Sequence, residues 1–291
     1  MSLATGPTFE TFTVRHRLTG QLQAETALRV GAGSSLDAAN TDQPVMRDGL
    51  GRPFLPGSSL KGALRSALEA VIRGLPASYG LSTCDLFNDF DQRDFDPERN
   101  PSQRGRPQQI QICGKPMQRP LDAEGRVDAA CEVDEIVARS CTVCSLFGSP
   151  YLAGRVFFHD LPATHDLLRT EVRDGVGIDR DLGTARPKIK YDVEVVPPGS
   201  RFRLDITMEN LSSQQLALIV QAIRWLDDGE VLLGGMTTRG LGRVSLHELA
   251  LRTIEPQDLL LDRKPKQSTW AAARENAERA LAALVDSAEA S

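Results

Sequence analysis

Apolar residues alternate with polar ones over 12–18 and again over 21–30, which predicts two strands separated by a turn at Thr19-Gly20. Leu60, Ala63, Leu64, Ala67, Leu68, Val71 and Ile72 recur at helical spacing and predict a helix over 58–72, capped by Ser58 or Ser59. Leu216, Ile219, Val220, Ile223 and Leu226 define the apolar face of a second helix over 212–226. Further strands are predicted at 154–158, 190–196, 201–208 and 244–249, with a hairpin across Pro197-Pro198-Gly199. The core order is strand, helix, strand, strand, helix, strand. That order predicts an α+β fold, a ferredoxin-like or RNA-recognition-like sandwich.

Two stretches break the pattern. Residues 84–131 are rich in Asp, Arg, Gln, Gly and Pro and carry few large apolar side chains, and helical character returns over 132–144. Residues 165–190 are polar and glycine-rich. The predicted organisation is a core of 1–83 and 145–250 that includes the polar stretch at about 165–190, a metal-stabilised insertion at 84–144 and a helical extension at 251–291. In that extension Trp270, Ala273, Ala277, Ala280, Leu281 and Leu284 form a modest stripe, expected to dock on its own domain.

Composition narrows the function. The chain has 291 residues, 41% hydrophobic and 25% charged, enough for a core. Net charge of -5 argues against coating nucleic acid by bulk electrostatics and leaves room only for a local basic groove. Aromatics at 5% argue against a base-stacking platform. No run approaches a membrane span and no basic-then-apolar opening marks a leader, so a cytoplasmic protein without membrane partners is expected.

Two loops have the chemistry of phosphate binding. In Pro56-Gly57-Ser58-Ser59-Leu60-Lys61-Gly62, glycine and serine lead into a helix start, whose free N–H groups favour anions; Lys61 and Arg65 add charge one turn apart. The spacing is not that of a P-loop, and a capped helix with a solvated lysine reads the same way. In Gly234-Gly235-Met236-Thr237-Thr238-Arg239-Gly240-Leu241-Gly242-Arg243, four glycines permit close backbone approach to a polyanion that the two arginines attract. Gly31-Ala32-Gly33-Ser34-Ser35 is a weaker example.

Cys141-Thr142-Val143-Cys144 is a CxxC pair, whose spacing suits one tetrahedral zinc. A redox pair is the alternative, although no thioredoxin-like strand and helix surround it. Cys84 and Cys131 are the expected remaining ligands of a structural Zn2+, with Cys113 as substitute. Asp37, Asp42 and Asp48 fall in one loop, where a carboxylate beside a phosphodiester can hold Mg2+ or help deprotonate a nucleophile. The four histidines form no catalytic pattern.

Several segments occur together in order: Asp42-Gln43-Pro44-Val45, Phe54 through Gly62, Leu146-Phe147-Gly148, Gly177-Ile178-Asp179-Arg180 and Gly234 through Gly242. Together they resemble the RAMP superfamily, specifically the backbone subunits of type III CRISPR effector complexes. The resemblance implies an RNA-recognition-like sheet with inserted thumb and lid. It implies copies or paralogues stacked head to tail with other effector subunits along a guide RNA (crRNA) that pairs with target RNA. It also implies guide contacts from Ser58, Ser59, Lys61, Arg65, Gly235, Thr237, Thr238, Arg239 and Arg243, and a thumb at 178–190 tipped by Arg186 and Lys188. Asp42 is implied as the residue that cuts target RNA, with Asp37 its rival and a divalent cation such as Mg2+ assisting.

The expected function is therefore a guide-RNA-binding backbone subunit with endoribonuclease activity. The alternatives are a non-cleaving scaffold of the same complex and a guide-processing endonuclease. No histidine lies in the glycine-rich loops, which counts against the last. A metal-stabilised protein unrelated to RNA would not need two basic glycine loops.

Overall fold

A computed structural model describes residues 9–31, 43–84, 113, 136–164 and 169–289, apart from the side chains of 186–189 and 289. The central sheet has five strands. They are β1 (Arg15–Ala24), β3 (Val156–Phe158), β7 (Arg201–Glu209), β8 (Val244–Ile254) and β9 (Lys266–Thr269), in the order β3-β7-β1-β8-β9 and antiparallel throughout. Helix α1 (Gly57–Gly74) connects β1 to β3, and α3 (Ser213–Asp228) connects β7 to β8. The order β3-β7-β1-β8 is that of a ferredoxin-like α+β sandwich.

Alternation explains which face is covered. Phe202, Leu204, Ile206 and Met208 of β7, with Leu18 and Leu22 of β1, point inward and are buried. They meet Leu60, Leu64, Leu68 and Ile72 of α1 and Leu218, Ile219, Ala222, Ile223 and Leu226 of α3 in one core. Each large apolar side chain buried this way contributes roughly 1.5–3 kcal/mol. The opposite face carries arginines with cross-strand acids, such as Arg15 with Glu209 and Arg17 with Asp205. Helix α3 begins at a capping box, in which Ser212 accepts the Gln215 N–H and the Gln215 side chain accepts the Ser212 N–H.

Three expectations are corrected. Thr19-Gly20 is not a turn: β1 runs straight through it, and the register against β8 shifts between Thr19 and Gln21. The glycine serves a bulge rather than a hairpin. Pro197-Pro198-Gly199 does turn the chain, but β6 (Ala185–Val195) pairs with β5 (Glu171–Ile178), while β7 pairs with β1 and β3. The turn carries the chain between two sheets. Ser58 and Ser59 do not cap α1; its N-cap residue is Pro56, and the Asp160 carboxylate accepts the Gly57 N–H at 2.9 Å.

The short pair β2 (Phe54–Leu55) with β4 (Leu161–Pro162) leads into α1 and places Asp160 there. The two-residue link His159-Asp160 crosses the start of α1 so closely that a Cβ on Gly57 would stand 2.1 Å from the Phe158 carbonyl oxygen. Short helices α2 (Thr142–Phe147) and α4 (Pro256–Leu260) complete the body. The extension closes the sheet edge: β9 pairs with β8, and α5 (Trp270–Glu289) packs Ala277 against Ala217 and Val220 of α3. No helix among the described residues is long and apolar enough to cross a membrane.

Candidate nucleic-acid groove and cysteine centre

A groove of about 910 Å³ runs between the first turns of α1 and the glycine-rich loop before β8. Ser58, Ser59, Gly62 and Ser66 line one wall, and Gly234, Gly235 and Thr237 line the other. The two walls meet through the strand-like segment 27–31. The Gly235 N–H donates to the Arg29 carbonyl at 2.8 Å. A Cβ on Gly234, whose φ is +88°, would stand 2.3 Å from that oxygen. Only glycine permits both the approach and the left-handed backbone.

Arg29 is the residue that sequence reasoning missed. Among the described residues its buried Nε has no hydrogen-bond partner. Its terminal nitrogens lie between two glycines: a Cβ would stand 3.3 Å from Nη2 at Gly31 and 2.9 Å from Nη1 at Gly235. A guanidinium bedded on glycines in an open groove presents its remaining donors to a ligand, and five planar donors suit phosphate. Its position just before Gly31-Ala32-Gly33 was the available signal.

The remaining expected RNA ligands separate. Lys61 is half-buried, and burial, then the Arg65 charge, hold its pKa below the ordinary lysine value. Arg239 leaves the groove to stack over Tyr191 of β6, 5.9 Å from the ring centroid, with Nη1 on the phenol oxygen. Arg243 packs its guanidinium beneath Gly229 at the end of α3 and does not reach the groove. Thr238 sits in the same short turn, Thr237–Arg239, as Thr237 and Arg239. Arg186 and Lys188 belong to β6, but their side chains lie outside the described set.

Asp42 and Asp37 also lie outside the described residues. The segment that follows them does not. Met46 N–H donates to the Val30 carbonyl at 3.0 Å, and Glu194 N–H to the Gln43 carbonyl at 3.1 Å. Residues 43–47 therefore run between the groove segment and the end of β6.

Arg65 does not face the groove. Its Nε donates to Glu69 Oε1 at 2.8 Å, Nη1 to the Gly148 carbonyl at 2.8 Å, and Nη2 to Cys144 Sγ at 3.2 Å. It belongs to the second centre of the molecule. There the sulfurs of Cys84, Cys113, Cys141 and Cys144 all lie within 4.8 Å of one another. Cys113 takes the place expected for Cys131, which lies outside the described residues; four thiols already converge without it.

The geometry fits a metal. Four bonds of about 2.3 Å in a tetrahedron put sulfurs roughly 3.8 Å apart. Cys84 and Cys144 are 3.4 Å apart, and the thiols are free rather than bridged. Cys141 caps α2, accepting the Cys144 N–H at 3.3 Å, and Cys113 Sγ accepts the Cys141 N–H at 3.0 Å. Hydrogen bonds from the Cys113, Cys144 and Cys84 thiols drive the Cys141 pKa far below its ordinary value. Cys84 and Cys144 move the other way, the bond to Cys113 being the main cause that pushes each of them up. Four thiols crowded this closely suit replacement of their protons by one cation. The set can hold a metal such as zinc.

Comparison with known proteins agrees with this architecture. The chain is 24% identical over 250 residues to the CRISPR system Cms endoribonuclease Csm3 of Methanothermobacter thermautotrophicus, covering 83% of this chain and 87% of that protein. The protein of the same name from Methanocaldococcus jannaschii is 24% identical over 245 residues, covering 80% of this chain and 79% of the relative. That from Mycobacterium tuberculosis is 27% identical over 262 residues, covering 81% and 87%. A family model described as the RAMP superfamily matches residues 21–245, the span that holds the end of β1, the groove and the cysteine centre, and the chain belongs to that superfamily.

Proposed function

We propose that the chain is a guide-RNA-binding backbone subunit of a type III CRISPR interference complex, and that it cuts complementary target RNA through Asp42. The observation that carries the RNA reading is the Arg29 groove: a buried Nε with no partner among the described residues, a glycine bed and a helix start converge on one open cleft. Ser58, Ser59, Gly235 and Thr237 offer short donors to the guide backbone there, and Lys61 adds charge from α1. The negative net charge is compatible with this because the binding charge is local.

The hairpin of β5 and β6 is the thumb, which wedges between bases and splays one nucleotide from the guide–target duplex. Copies or paralogues stack head to tail along the guide with the other effector subunits. The relatives' designation as endoribonucleases supports cleavage. In RNA, the 2′-hydroxyl beside a splayed nucleotide attacks its own phosphorus in line. The 2′-oxygen gains the bond to phosphorus, the 5′-oxygen of the next nucleotide leaves with a proton, and a 2′,3′-cyclic phosphate remains. Asp42 orients or deprotonates the attacking hydroxyl. Mg2+ held by the same carboxylate would neutralise charge developing on the phosphate.

Purification from the native host tests the binding reading. The protein is expected to carry RNA of narrow length distribution, and Arg29→Ala together with Lys61→Ala is expected to strip it. Protein that carries no RNA, or binds duplex DNA equally well, overturns the assignment.

A further inference from the structure

Arg65 is a buried cation at the junction of two centres. Its side chain is 11% exposed and makes three directed bonds, to Glu69, to the Gly148 carbonyl and to Cys144. Glu69 fixes the Nε side of the guanidinium, so that Nη1 and Nη2 are aimed at α2 and the residue that ends it. Cys144 is fully buried and packs beside Cys84 at 3.4 Å. The same helix, one and two turns earlier, carries Ser58, Ser59 and Lys61.

A hydrogen bond from a cation to a ligating sulfur draws electron density from it and fixes its direction; such outer partners are part of how a metal site is tuned. We infer that Arg65 is a positioning residue that couples the cysteine centre to the groove. With a metal bound, Cys144 is a thiolate and a strong acceptor for Nη2. Arg65 then locks α1 to the Leu146-Phe147-Gly148 segment. With the centre empty, Nη2 faces a weaker acceptor, the lock slackens, and the wall formed by Ser58 and Ser59 loses its fixed position. The coupling rests on the reading of the groove as an RNA site; the contact to the metal thiolate does not.

The full-length protein tests both parts. Cobalt(II) is loaded in place of zinc, and the sulfur-to-metal charge-transfer absorption is recorded for wild type, Arg65→Met and Arg65→Lys. Met keeps the length and removes every donor, so the band is expected to move to lower energy. Lys keeps a charge and a donor, so it is expected to restore the band in part. Competition with a chelator is expected to show zinc held about 10–100-fold more weakly in Arg65→Met, the usual cost of losing such a partner.

Binding of a single-stranded RNA oligonucleotide is then measured with and without zinc. Wild type is expected to lose several-fold in affinity on zinc removal, and Arg65→Met to lose little more. An unchanged cobalt band in Arg65→Met overturns the contact to the metal thiolate. RNA affinity indifferent to zinc overturns the coupling. Wild type that binds no RNA in either state overturns the groove reading and the coupling with it, while the cobalt band still decides what Arg65 does at the centre.

Discussion

The Glu194 carboxylate accepts the backbone N–H of Val45 at 2.9 Å. Through that bond β6 holds the segment that follows the loop containing Asp42. The same carboxylate receives the Arg47 guanidinium and the Thr170 hydroxyl. Glu194 is 8% exposed, and burial alone would raise its pKa. Its hydrogen bonds to Thr170, Val45 and Arg47 outweigh that and hold the pKa below the ordinary 4.5.

Glu194→Gln is expected to cost about 1.5–3 kcal/mol, since a charged acceptor is lost from a buried site. Hydrogen exchange should show faster exchange at the Val45 amide. The sign with pH follows from the lowered pKa: the contribution is complete above the unfolded value and is lost as pH falls below 4.5 through the folded one. Wild type is therefore expected to lose stability across that acid range more steeply than Glu194→Gln. Denaturation curves from pH 6 to about 3 check it, and parallel curves for the two proteins would refute the role given to the carboxylate.

The cysteine centre predicts a specific pattern of metal content. Elemental analysis should find close to one zinc per chain. Cys113→Ser and Cys144→Ser should lower it and destabilise the fold, because a structural metal stabilises only the folded form. Cys131→Ser should leave it unchanged, since four sulfurs converge without that residue. Zinc lost on replacing Cys131 and kept on replacing Cys113 would reverse the assignment.

The proposed RNA-backbone contacts, Arg29 in the groove and Lys61 on α1 beside it, predict their own salt signature. Arg29→Ala and Lys61→Ala should each weaken RNA binding to all sequences alike and reduce the slope of log affinity against log salt by about one half to one unit. Arg243→Ala should not, because that guanidinium lies under Gly229. Titrations at several salt concentrations separate these outcomes. A sequence-selective loss at Arg29 would instead mean base readout.

What could be read from the sequence follows from which forces are local. The run Leu60, Leu64, Leu68, Ile72 predicts α1, and the same side chains are its buried stripe. Alternation in 201–208 predicts β7, since its burial follows that alternation. Pairing partners were not legible: nothing within β6 tells whether its neighbour is β5 or β7. Gly20 reads as a turn because a glycine that serves a bulge and one that serves a hairpin look alike. Arg65 stands four residues from Lys61 and shares its helix face, yet its long side chain turns to Glu69 and Cys144, partners supplied partly by distant sequence. Arg29 went unread because its significance comes from Gly235, two hundred residues away in the chain.

Asp42 immediately precedes Gln43, whose carbonyl accepts the Glu194 N–H at 3.1 Å. In an assembled complex, Asp42→Ala is expected to leave guide and target binding intact, because a carboxylate does not help to hold a polyanion. Cleavage of complementary RNA should fall by orders of magnitude, as for a group that acts mainly in the transition state. Asn should be nearly as inactive as Ala: it keeps the shape and loses the charge that proton transfer or a divalent cation requires. Asp37→Ala should cut normally. Loss of cutting with Asp37→Ala but not with Asp42→Ala would move the catalytic carboxylate five residues back along the loop. Chelation of divalent cations separates a carboxylate that works through Mg2+ from one that works alone. If neither substitution nor chelation changes cutting, the nuclease belongs to another subunit, and this chain is the scaffold that positions RNA for it.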